Sequence, residues 1–172
     1  MPPSNTGTAA DIQESVKLQL RIRDHITAVA GMVNQVEFLR RQLEDARKAV
    51  VAAGAQKARL KLIDDLDKKM LAVRDRFITR SEAMSDDKYF VETYKIYLNL
   101  MWMAQVTGTG GGDTAGSADY GPTKTAIGLV ADLEKEIGTA AAEYKGLIEK
   151  DVPAFNKAVA GAAWMKPLEL LN

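Results

Sequence analysis

The 172-residue chain has no cysteine and a single histidine, His25. Without thiols there is no disulfide, no thiolate nucleophile and no thiolate metal ligand, although exported domains also do without cysteine and the compartment stays open. Charge of one sign is missing too. Lys plus Arg number 23 and Asp plus Glu number 23, so no global field favours DNA, RNA or an acidic membrane, and no nucleic-acid partner is expected. Long apolar runs are also lacking. The longest, Ile96 to Val106, is flanked or interrupted by Lys95, Asn99 and Gln105, well short of the ~20 residues of a membrane-spanning helix. Met1-Pro2-Pro3-Ser4-Asn5 has neither a basic nor an apolar signal-peptide region. Residues 1–8 read as a polar linker, as at a cut domain edge.

What is present is helical periodicity. Hydrophobic residues make up 47% and charged residues 27% of the chain, enough for one domain, residues 9–172, with a single core. Thr8 and Asp11 form a T-x-x-D start signal for a first helix over about 9–53. Its apolar positions run Ile12, Val16, Leu20, Ile22, Ile26, Val29, Val33, Val36, Leu39, Leu43, Ala46 and Val50, stopping at Gly54. A rod roughly 60 Å long at 1.5 Å per residue needs partners along its whole length. A second helix, about 56–83, carries Leu60, Ile63, Leu66, Met70, Val73 and Phe77 on one face and charges on the other. Ser85-Asp86-Asp87 reads as a cap for a third helix, about 87–106, which is apolar around most of its circumference. A Gly-rich loop spans 107–122. The fourth helix, about 123–160, has the stripe Ala126, Val130, Leu133, Ile137, Ala140, Tyr144, Leu147 and Ile148. Pro153 either kinks it or opens a short fifth helix. The apolar tail, Trp164 to Leu171, is expected to dock, on this chain or on a neighbour. The expected fold is all-α: an antiparallel up-down bundle of four main helices with a possible short fifth at the C-terminus.

No residue pattern points to catalysis, a cofactor or a metal. Gly108 to Gly112 follow a helix rather than a strand and no Gly-Lys-Ser/Thr ends the run, so the loop reads as a connection rather than a phosphate cradle. His25 has only Asp24 nearby in sequence, and adjacent helical residues point apart, so it reads as a surface or boundary residue. The Glu-x-x-His pair of a di-metal bundle is absent. Asp64, Asp65, Asp67, Glu134 and Glu136 sit mostly among lysines and read as solvated. Arg40, Arg41, Arg47 and Lys48 alternate with Glu37, Glu44 and Asp45, as in helix-surface ion pairs. The candidate interaction residues are aromatic or soft: Tyr94, Trp102, Met103, Tyr120 and Trp164.

Two stretches resemble a known family. In LQLRIRDHITAVAGMVNQVEFLRRQLEDA, Leu18 to Ala46, the phrases Ile22-Arg23-Asp24, Val33-Asn34-Gln35-Val36, Leu39-Arg40 and Gln42-Leu43 are similar to the helical C-terminal region of bacterial sortilin-like, BNR-repeat β-propeller proteins, often named glycosyl hydrolases. GTGGGDTAGSADYGPT, Gly108 to Thr123, and Lys150-Asp151-Val152-Pro153-Ala154-Phe155-Asn156 resemble a loop and a near-terminal phrase of the same proteins. The matching phrases concern packing and turns. The resemblance implies a non-catalytic structural or interaction domain that follows a propeller, with that propeller as partner, in an exported parent that is periplasmic or extracellular. Self-association into a homo-oligomer is a further expectation, because heptad-like seams can pair between copies. The alternatives are an accessory domain of a glycoside hydrolase-like enzyme whose active site lies in the propeller, and a free-standing bundle with a ligand pocket between helices three and four at Tyr94, Trp102 and Tyr144.

Overall fold

The computed structural model describes residues 7–54, 56–79, 94–107 and 121–171. The fold is all-α, with no strand among the described residues. Four main helices, α1 (Ala9–Ala52), α2 (Lys57–Phe77), α3 (Ile96–Thr107) and α4 (Lys124–Gly146), are followed by a π-helical turn (Leu147–Asp151) and a short α5 (Val152–Ala158).

The expected ends of α1 are observed, and their chemistry is explicit. The Thr8 hydroxyl accepts from the Asp11 amide at 3.2 Å, and the Thr8 amide donates to Asp11 Oδ2 at 2.8 Å, closing a capping box. Gly54 follows the last turn with φ +96°, where a side chain would be strained. Thr123 caps α4 by accepting from the Ala126 amide at 3.1 Å. Pro153 lies in the first turn of α5, directly after the π turn. Proline has no amide to donate and its ring crowds the carbonyl four residues back. The wider π turn leaves room for it, so the chain runs on into the short fifth helix.

The core seam of α1 is a heptad series: Ile22, Val29, Val36, Leu43 and Val50 recur every seven residues, with Leu18 before them and Leu39 and Ala46 between them, and all eight are buried. Ile63, Leu66, Met70, Val73 and Phe77 of α2 close against it, as their periodicity predicts. The N-terminal quarter of α1 departs from expectation. Ile12, Val16 and Leu20 lie outside the seam and are 45, 47 and 43% exposed, while Ser15 takes the buried position. The step of two from Leu20 to Ile22 turns about 200° around the helix, so the two apolar sets occupy different faces.

Helix directions follow from cross-helix pairs. Arg47 meets Asp64, Arg40 meets Asp67 and Arg74 meets Glu37, so α2 runs against α1. Gln19 Nε2 donates to the Thr107 carbonyl at 2.7 Å, and Met101 and Ala104 lie beside Leu20 and Ile26, so α3 also runs against α1. Helix α4 runs with α1, because Ala126 lies near Ser15 and Glu134 meets Arg21 and His25. The four helices therefore do not alternate strictly in direction. Helices α2 and α3 serve successive lengths of α1.

Two boundaries differ from expectation. Helix α2 ends at Phe77 rather than near 83, with Ile78 extended at φ −134°. Tyr94 and Lys95 are not helical, so α3 begins at Ile96 rather than near 87. The Ser85-Asp86-Asp87 cap and residues 108–120 of the Gly-rich loop lie outside the described residues.

Candidate interaction surface

Helix α3 is apolar nearly all round, but only Ile96, Leu100, Met103 and Thr107 are buried. Successive buried residues are three or four apart, so they fill one face against α1 and α4. The remaining apolar side chains look outward: Leu98 and Met101 half-buried, Trp102 38% and Val106 52% exposed. Tyr94, just before the helix, stacks on Trp102 with ring centroids 6.4 Å apart and planes 15° from parallel. Asn99 Nδ2 donates to the Tyr94 carbonyl at 3.4 Å. The sequence-predicted pair Tyr94 and Trp102 is thus brought together at the start of this face.

The same face continues onto α1. Gln19, Leu20, Arg23 and Ile26 of α1 and Met101 and Ala104 of α3 line an open groove of about 410 Å³. Beyond it stands the exposed ridge Ile12, Val16 and Leu20, spaced four residues apart. Charge beside the groove is internally paired: Arg23 with Asp24 at 2.6 Å, and Arg21 with Glu134 at 2.7 Å. Such a surface offers apolar contact and shape rather than a field for an anion.

The other predicted residues are placed elsewhere. Met103 is buried in the core and presents nothing to a partner. Trp164 packs partly against the core with the Arg59 guanidinium 5.4 Å above its ring, so the tail docks on its own chain. Tyr120 lies outside the described residues. Tyr144 packs against the core, and burial pushes its phenol above the ordinary range.

The ionisable groups also correct the sequence reading. Glu134 is not simply solvated: it accepts both Arg21 Nη2 contacts, at 2.7 and 2.8 Å, and lies 3.0 Å from His25 Nε2. Burial opposes its ionisation, yet Arg21 and His25 together hold its carboxyl below the usual carboxylate range. Asp67 and Asp64 likewise bridge helices, to Arg40 and Arg47. Arg74 is buried against Glu37 and Asp75, which joins α1 to α2 through the chain Asp67–Arg40–Glu37–Arg74–Asp75. Burial opposes the charge on Arg40, and Asp67 and Glu37 outweigh it, holding its pKa above the ordinary value. Among the described residues, no group of three or more His, Cys, Asp or Glu side chains is arranged to hold a metal ion. No described helix is long and apolar enough to cross a membrane.

No protein-family model, curated protein or solved structure matches the chain.

Proposed function

We propose that the chain is a non-catalytic interaction domain that packs, through the outer face of α3 and the adjoining ridge of α1, against another folded domain. The carrying observation is the apolar face itself. Ile12, Val16, Leu20, Met101, Trp102 and Val106 are held at the surface by two helices whose buried seams pack into the core. An apolar stretch of this kind beside paired surface charge is characteristic of a covered site. The resemblance to sortilin-like proteins supplies the occupant: a β-propeller in the same exported parent, which the bundle would brace.

The test adds a separately produced sortilin-like propeller to this chain and follows amide hydrogen exchange. Protection confined to 12–27 and 96–107, lost in the variants Leu20→Asp and Trp102→Asp, is the expected result. The variants should keep wild-type helicity, since both side chains are exposed. Exchange that is unchanged by the propeller, together with a strictly monomeric chain by light scattering, would sink the reading.

A further inference from the structure

The C-terminal tail is held by an unusual set of contacts. Asn156 Oδ1 accepts from the Leu168 amide at 2.7 Å, and Asn156 Nδ2 donates to the Leu168 carbonyl at 3.0 Å. One residue on, Gln42 repeats the arrangement: its Oε1 accepts from the Glu169 amide at 2.9 Å and its Nε2 donates to the Glu169 carbonyl at 2.8 Å. Gln35, one heptad before Gln42 on α1, accepts from the Leu171 amide at 2.9 Å. Residue 168 is thus read from α5, and residues 169 and 171 from α1. That alternation is the one an extended chain presents along its two edges.

Two observations show that the tail fits this groove incompletely. Leu168 is its one buried side chain among 166–171, while Leu170 and Leu171 are each 46% exposed. The third clamp is half closed: Gln35 is buried at 8% exposure, and its Nε2 has no hydrogen-bond partner. A buried amide donor without an acceptor is a standing cost that a main-chain carbonyl laid beside it would remove. Next to the tail, Phe38, Gln42, Ala46 and Ala49 of α1 face Trp164 and Met165 across an open groove of about 450 Å³.

We propose that the face of α1 bearing Gln35 and Gln42, with Asn156 opposite, is a docking groove for an extended, leucine-anchored peptide from a partner protein. Residues 168–171 are its built-in, displaceable occupant. Side-chain carboxamides read main chain irrespective of sequence, so they set the extended conformation of the ligand, and the site now filled by Leu168 sets its anchor. The partner segment places a leucine there and a carbonyl against Gln35 Nε2. The tail, tethered through the turn at Gly161 (φ +76°), competes at high effective concentration and masks the groove until displaced.

The experiment uses the full chain and a fluorescein-labelled peptide of residues 166–172, Lys-Pro-Leu-Glu-Leu-Leu-Asn, followed by fluorescence polarisation. Glu169→Pro removes the amide that Gln42 reads, at an exposed position, and so loosens the tail with the core untouched. That variant should bind the peptide at least tenfold more tightly than wild type. Adding Gln42→Ala, or N-methylating the peptide at its glutamate, should each cost at least tenfold. Leu168→Ala serves as a second tail-loosening variant if the proline variant is unfolded by circular dichroism. Equal binding by wild type and a folded, tail-loosened variant would overturn the proposal, as would indifference to N-methylation. A wild-type dimer that Glu169→Pro abolishes would overturn the partner assignment, because the occupant would then be the tail of a second copy.

Discussion

Glu134 joins α1 and α4 where the α1 seam carries a histidine. His25 falls at a seam position, three residues beyond Ile22 and four before Val29, so it faces the bundle rather than solvent. Its neighbours explain the acid's depressed pKa, and the sign of the pH effect follows. Glu134 contributes stability while it is ionised, above the unfolded value of about 4.3, and that contribution is lost as pH falls through the lower folded value. Glu134→Gln should therefore cost about 0.5–1 kcal/mol at pH 7, discounted for partial exposure, and the difference from wild type should shrink below about pH 4. Urea unfolding at the two pH values measures it. Phe77 is a contrasting case, fully buried with no polar partner to lose. Phe77→Ala should cost about 3–5 kcal/mol at any pH between 5 and 8. The pairing of Glu134 was invisible in the sequence because it joins positions 113 residues apart, whereas the burial of Phe77 was legible from its spacing alone.

At the level of elements, the start of α1 and the approach to α4 are a single construction. Gly121 passes so close to the capping box that a Cβ there would lie 2.8 Å from Asp11 Oδ1. Asp11 cannot swing away without releasing Thr8. Gly121→Ala should thus act through the cap and cost about 0.5–1.5 kcal/mol, as should Thr8→Ala. The double variant should lose less than the sum of the two, and a thermal-unfolding cycle on the four proteins reads the coupling. Each cap residue was legible in sequence as a local phrase, but their meeting with Gly121 was not. The same division holds along the helices. The α2 stripe was complete in the sequence, because one period of threes and fours runs unbroken through it. On α1 the step from Leu20 to Ile22 broke that period, and the break marked the point where apolar residues leave the core for the surface. Helix α3 carried less information, because an apolar composition on every side does not reveal which side is inside. Tyr94 and Trp102 were legible as candidate contacts by residue type, whereas Met103 shares that chemistry and points into the core.

For the whole molecule, the balance of 23 basic and 23 acidic residues predicts that association through the α3 face responds to salt as an apolar contact does. Raising sodium chloride from 50 to 500 mM should change the apparent association constant less than about twofold, whereas sulfate at similar ionic strength should strengthen it. Sedimentation of the chain with its partner domain across that series checks the point. A steep fall with sodium chloride would instead place the contact among charged side chains such as Lys17 and Arg23.

Successive service of α1 by α2 and α3 also sets an order in time. The C-terminal half of α1 finds its ion-pair partners 17 to 37 residues away, in the hairpin with α2. The N-terminal half is closed by pairs 88 to 113 residues distant. On a ribosome moving at about 5–20 residues per second, that half waits roughly 5–20 s for α4 to be made. During that interval Ile12, Val16 and Leu20 are exposed together with Leu18 and Ile22, so the first quarter of the chain is the segment a chaperone would meet.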